Sequence, residues 1–277
     1  MPSFGIAAGL IAAVSFGAGD FIGAVAARRA GPLVVVAGAH GAALLALLIG
    51  ALVVRPPIDD PAVILIGLAA GIGGAVGLAS LYRGMSLGSM GVVTSLSGAG
   101  SLIPPLVVGA VLDAPITALQ LVGVAFAGAA GVAAGGAARD TVGRQALLMA
   151  GLAAVGFGGW YVLLDLAAEA GDPLWALLAS RASSAVLTAA VVARRFDARA
   201  LPLRLVVAAG LLDVGGNAFY VLSRDLLPLG LAAALTGLFP IGTMVLARVI
   251  LGERLTRLGQ VGVALALLGI VLISAGG

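Results

Sequence analysis

Few side chains in this sequence can do chemistry, and nearly all of them interrupt long apolar runs. Asp213, Asn217 and Tyr220 are spaced by four and then three residues, which places a carboxylate, an amide and a phenol on one face of a helix. Arg181 is followed by Ser184 and Thr188 on its own face, and its positional counterpart in the first half of the chain is His40. A charged group at the centre of a bilayer costs roughly 2.5 to 3.5 kcal/mol even on the lenient insertion scale, so such groups face a bundle interior and often mark a pathway. Arg181 therefore needs a partner, and Asp213, in the next run, is the nearest acid in sequence. The two can form a structural ion pair, or the Asp213 face can form the wall of a polar cavity. His40 can shuttle protons near neutral pH or sit as a satisfied packing group. Asp20 follows Gly17 and Gly19 near the expected end of the first run, where it can bind a proton or a cationic substrate, or be solvated at the interface. Trp160 and Tyr161 can stack on a substrate or simply pack, and Asp165, beside Glu169 and Asp172, reads as a solvated rim group.

Other chemistry finds little to stand on. The chain has no cysteine, which excludes disulfides, thiol catalysis and thiolate metal sites. No HExxH, nucleophile elbow or Walker string is present, so no metal, cofactor or catalytic group is expected. Gly17-Ala18-Gly19-Asp20 matches the GxGD string of intramembrane aspartyl proteases. That chemistry needs a second carboxylate, Asp165 or Asp213, and neither follows a tyrosine as that family expects. Four residues are also a weak match in a chain with 43 glycines.

The elements that must position these groups are membrane spans. Hydrophobic residues make up 61% of the 277 and charged residues only 10%, with a mean hydropathy of +1.20, too little charge to cover a water-facing surface. The apolar residues come in runs of spanning length without the alternation of a barrel strand, so helices are expected. Ten spans are expected, at 3–25, 32–54, 62–82, 89–111, 116–136, 146–168, 173–193, 204–222, 228–250 and 257–275. The first run lacks a basic leader and a cleavage site and is expected to be retained. Spans four and nine carry interruptions, Gly98, Pro104 and Pro105 in one and Gly237 and Pro240 in the other, which mark kinks, hinges or a binding site.

The halves resemble each other. At an offset of 139, Leu112, Thr117, Val122 and Gly123 fall on Leu251, Thr256, Val261 and Gly262; at 141, Phe16, Gly17, Pro32 and His40 fall on Phe157, Gly158, Pro173 and Arg181. The expected organisation is two five-helix units, 1–138 and 141–277. Five is odd, so the second unit enters from the opposite side as an inverted repeat, a build common in secondary transporters. Twelve arginines fall on the face after odd-numbered spans and two, Arg55 and Arg224, on the other, with Arg181 inside a helix. The positive-inside rule then places the arginine-rich face in the cytoplasm and both termini outside.

Ser15-Phe16-Gly17-Ala18-Gly19-Asp20-Phe21, Leu81-Tyr82-Arg83-Gly84 and Leu251-Gly252-Glu253-Arg254-Leu255 resemble the EamA type of the drug/metabolite transporter superfamily. The resemblance covers essentially the whole chain. Two features depart from it: the first half has Leu112-Asp113-Ala114-Pro115 where the second has the Gly-Glu-Arg turn, and the arginine count opposes the cytoplasmic termini the family implies. The resemblance implies a ten-helix carrier of small metabolites, such as amino acids or related solutes, often an exporter, with a cavity lined by spans one, three, four, six, eight and nine. The expected pathway residues are Asp20, Trp160, Tyr161, Asp213, Asn217 and Tyr220. His40 and Arg181 are proton or ion-pair candidates, and Gly98, Pro104, Gly237 and Pro240 are candidate helix breaks. The expected partners are the lipid bilayer of the cell membrane and a small-molecule substrate, with no nucleic acid and no partner subunit. The rival reading is a structural or regulatory membrane subunit with no flux.

Overall fold

The computed structural model describes residues 2–58, 60–112, 117–137, 143–193, 201–226 and 235–276. The described residues are helical with short connections. The helices are α1 (Pro2–Ala30), α2 (Pro32–Val54), α3 (Ala62–Leu87), α4 (Met90–Ser101), α5 (Ile103–Leu112), α6 (Ala118–Ala137), α7 (Arg144–Ala170), α8 (Pro173–Val192), α9 (Leu203–Leu226), α10 (Phe239–Leu251) and α11 (Arg257–Ala275). Six of them, α1, α2, α3, α7, α8 and α9, contain segments long and apolar enough to cross a membrane. The outward faces agree: Leu52, Val53 and Val249 are more than 70% exposed, which only a lipid solvent tolerates on this scale.

Helix starts follow ordinary rules. Pro32 and Pro173 open α2 and α8 at the first helical position, where a missing N–H costs nothing. Before α2, a single residue, Gly31 at φ 88°, turns the chain back. Before α8, the Asp172 carboxylate caps the helix by accepting from Leu174 N at 2.8 Å.

Several boundaries differ from expectation. α1 runs on to Ala30 rather than residue 25, because Arg28 donates to Met85 O at 3.1 Å and so does not have to end the helix. α3 continues past Arg83 to Leu87, since that side chain points outward while Gly84 and Met85 are buried. Span four breaks at Leu102, with Pro104 and Pro105 in the first turn of α5. The expected break at Gly98 is corrected: Gly98 lies inside α4, and a Cβ there would come within 3.1 Å of Phe239 and 3.2 Å of Pro240, so the glycine is a crossing point. Gly237 and Leu238 form the turn before α10, with Pro240 in its first turn. The expected breaks at Asp113–Pro115, Arg139 and Arg194–Arg199, the start of span nine at Pro228 and the boundary between the two units lie outside the described residues.

The helices pack through small residues, as expected where lipid supplies no hydrophobic drive between them. α3 lies against α7 and α8, α1 against α9 and α10, α2 against α8 and α9, α4 against α7, α10 and α11, and α6 against α11. At Gly156 an added Cβ would fall 2.7 Å from the Cα of Gly77, which brings α7 and α3 into backbone contact. Thr243 Oγ1 donates to Gly17 O at 3.0 Å where α10 meets α1.

The largest buried cluster includes Phe21, Leu81, Tyr82, Met85, Met90, Val93, Ala146 and Val206. All lie in the half of the bundle whose described ends carry Arg28, Arg29, Arg83, Arg144, Arg204, Arg254 and Arg257. Among the described residues that half is densely packed around this cluster, with a separate pocket of about 100 Å³ bordered by Gly91, Met244, Arg248, Glu253, Leu255 and Gln260.

Candidate functional site

The opposite half contains open space. A cavity of about 70 Å³ at mid-depth is lined by residues that include Phe16, Asp20, His40, Gly74, Phe157, Arg181 and Asp213. A second, of about 190 Å³, lies toward the arginine-poor ends and includes Leu164, Asp165, Asn217, Tyr220 and Thr236. Both share Phe16, Ser101, Trp160, Tyr161 and Phe239 in their walls, so the two adjoin as neighbouring compartments of one recess.

Two helix breaks shape it. Ser101 and Leu102 at the α4–α5 break, and Gly237 and Phe239 at the start of α10, all line the outer cavity. A proline in a first turn leaves carbonyls of the preceding turn unpaired within the bundle, and irregular backbone at this depth is tolerated where it borders a cavity.

Arg181 and Asp213 form a fork-to-fork pair, with Nε donating to Oδ2 at 2.8 Å and Nη2 to Oδ1 at 3.1 Å. Their side chains are 5% and 23% exposed. The guanidinium carbon also sits 5.3 Å from the centre of the Trp160 ring. Trp160 is fixed by its Nε1–H donating to Ser180 Oγ at 2.9 Å, and Tyr161 meets it edge-on at 5.1 Å. Asn217 Nδ2 donates to Asp213 O at 2.8 Å, one turn back on α9. His40 Nδ1 and Ser184 Oγ share a hydrogen bond of 2.5 Å, joining α2 to α8.

Asp20 stands deeper than its sequence position suggested. Because α1 extends to Ala30, Asp20 is ten residues, roughly 15 Å, from the helix end. It borders the mid-depth cavity and, with Gly19, Ala39 and Tyr82, a smaller void behind it.

The structure thus brings Asp20, Trp160, Tyr161, Asp213, Asn217 and Tyr220 to one recess, together with His40 and Arg181. Asp165 stands exposed at its outer end. The expected lining by spans one, three, four, six, eight and nine needs correction, since α2 and α8 also contribute, through His40 and Arg181. Sequence reasoning gave no site role to Phe16, Phe157, Phe239, Tyr82 or Thr236. The Gly23–Tyr82 contact, in which the ring occupies the space of the absent side chain, has no sequence signature. Phe16 and Phe157 had one, as repeat counterparts.

At the arginine-bearing end Glu253 clasps α4 beside the pocket of about 100 Å³. Gly252, at φ 65°, turns the chain out of α10, and the Glu253 carboxylate accepts from Ser89 Oγ, from Met90 N at 3.1 Å and from Gly91 N at 3.4 Å.

Comparison with curated proteins finds no match. One solved structure, described only as a crystal structure of protein, is similar over 96% of this chain and 97% of its own, with a TM-score of 0.64 at 15% identity, which shows a shared fold. Residues 144–275 match the EamA-like transporter family. The likeness to the EamA-like transporter family is carried by residues 144–275, and the apolar helices on both sides of residue 144 make the chain a multi-pass membrane protein.

Proposed function

We propose that the protein is a secondary transporter of small metabolites, amino acids or related solutes, working as an exporter or facilitator by alternating access around the mid-depth recess. Ten spans in two inverted units, 1–138 and 141–277, form the moving parts, and the protein acts as a monomer in the cell membrane.

One observation carries the reading: the recess is lined by positional counterparts from both halves. Phe16 and Phe157, Asp20 and Tyr161, and His40 and Arg181 are each 141 residues apart, Gly74 and Asp213 are 139 apart, and all eight border the same cavity. The packing supports the same relation. A Cβ on Gly71 would strike the carbonyl of Ser180, and one on Gly210 the carbonyl of Ala39; the glycines are 139 apart and the carbonyls 141. Likewise α3 packs on α7 as α1 packs on α9. A site on an axis between two like units is where a rocking motion changes exposure without rebuilding the site.

Dense packing around the buried cluster in the arginine-bearing half, with the larger space in the other, fits one end of such a cycle. Flux of a metabolite panel into proteoliposomes, with and without a pH gradient, tests the function. A transporter moves at least one solute above protein-free vesicles, and the Asp20→Ala, Asp213→Ala double variant loses that flux. Unchanged flux in the double variant removes these residues from the pathway.

A further inference from the structure

Among the described residues, the charges around the mid-depth cavity do not balance. Asp213 is matched by Arg181 through two short hydrogen bonds, and the guanidinium is further engaged by Trp160. His40 is engaged by Ser184, and an imidazole is mostly uncharged at neutral pH. Asp20 borders the same cavity with no hydrogen-bond or ion-pair partner among the described residues. An ionised carboxylate about 15 Å from a helix end is costly unless a cation or a proton joins it.

The surroundings say what kind of cation fits. The recess wall beside Asp20 carries Phe16, Phe157, Tyr161 and Phe239, a surface suited to an organic body and to the face-on approach of an ammonium. Further out, Thr236, 7% exposed and with its Oγ1 lacking a hydrogen-bond partner among the described residues, is part of the outer cavity wall. An unmet hydroxyl there offers a second polar contact to an elongated ligand. Among the described residues the guanidinium lining the recess is that of Arg181, and it is committed to Asp213 rather than left for a substrate carboxylate.

We infer that Asp20 binds the ammonium group of the transported solute, and that the recess selects organic amines over the amino acids that carry the same side chain. This rests on the transporter reading above and narrows its substrate class. The expected ligand has one positive charge at Asp20, an apolar or aromatic body against the phenylalanines, and no carboxylate.

The test is titration calorimetry on the purified full-length protein at pH 7, with phenylethylamine, tryptamine, phenylalanine and phenylpropionate as probes. The amines are expected to bind at least tenfold tighter than phenylalanine, and phenylpropionate not at all. Asp20→Asn should weaken amine binding at least tenfold while keeping the wild-type unfolding midpoint, and Asp20→Glu should restore most of it. If Asp20→Asn fails to fold, Asp20→Glu together with Phe16→Ala, which should also weaken the amines, carries the test. Failure of every amine to bind, or binding of phenylalanine as tight as the amines, overturns the assignment. So does protein-dependent flux of a neutral solute that follows a pH gradient and is lost in Asp20→Asn, which gives Asp20 to a proton. In that case the transporter reading survives; absence of any protein-dependent flux overturns both.

Discussion

Replacing Asp213 by leucine would leave the Arg181 guanidinium inside the bundle without its carboxylate. Breaking a buried ion pair by removing one partner costs 3–5 kcal/mol, whereas replacing both partners with apolar groups is often close to neutral. Arg181 is 5% exposed and Asp213 23%, so the recess relieves part of the penalty, and about 3 kcal/mol is the expected cost of Asp213→Leu. The Trp160 contact at 5.3 Å stays in place and holds the arginine where it is, rather than freeing it to reach water. For a chain of this size roughly 2–4 °C accompanies each kcal/mol, so the unfolding midpoint should fall by about 6–12 °C. Arg181→Met should cost a similar amount, since it strands the acid. The double variant should recover to within about 1 kcal/mol of the parent, giving a coupling energy of about 5 kcal/mol in the cycle. Thermal unfolding of the four proteins in one detergent reads this directly. Two small, additive single effects would refute the reasoning, because additivity means that the two groups do not share a buried contact.

Packing at the α3–α7 crossing should be unforgiving: a Cβ on Gly77 would lie 2.6 Å from the Phe157 ring, so Gly77→Val should cost about 1–3 kcal/mol and lower the yield of monodisperse protein, while Gly41→Ala, with nothing within 4 Å, should change neither. The absence of native cysteine gives a clean background for labelling. A water-soluble maleimide should modify Leu164→Cys in the outer cavity and spare Met85→Cys in the packed half. Removing the clasp with Glu253→Ala, at a cost of about 1–2 kcal/mol for the lost cap, should make Met85→Cys reactive; labelling at Met85 that ignores Glu253 would show that the clasp does not hold that half closed. If the arginine-rich face is cytoplasmic, Asp60→Cys on the opposite face should label in intact cells, and labelling only after permeabilisation would place the termini inside.

The apolar runs declared the helices because a bilayer accepts few alternatives, and the pairing of Arg181 with Asp213 was legible for the same reason: a charge at that depth must be met, and the candidates are few. Depth itself was harder to read. Arg28 and Arg29 look like a helix end, yet Arg28 finds a carbonyl on α3 and α1 runs on, which moves Asp20 from the interface into the bundle. The error has a physical source, since whether an arginine ends a span depends on what lies beside it, and that is tertiary information. His40 was misplaced relative to the recess on similar grounds. Its span was expected outside the lining, but close approach of α2 to α9 at Gly210 brings it in. Gly98 read as a break, when its function is to let Phe239 and Pro240 come near.

On the two-unit reading, the scaffold is symmetric and its chemistry is not. Asp20 faces a recess in which its counterpart is Tyr161, and the counterpart of Asp213 is Gly74. Had both copies kept an aspartate at the Asp20 position, two carboxylates would lie in one small low-dielectric cavity, and like charges at that range cannot both ionise without a matching pair of cations. With tyrosine in one copy, the mid-depth cavity holds, among the described residues, one carboxylate without an ion-pair partner and an aromatic wall opposite it. Glycine at position 74, in place of a second aspartate, has a further consequence. An added Cβ there would come 3.1 Å from Trp160, so the small residue leaves the indole room to lie over Arg181, and the ring that helps hold the arginine on Asp213 also closes the wall around Asp20. The asymmetry therefore assigns the roles: one half of the pairings builds the internal ion pair, the other leaves one carboxylate open to a ligand.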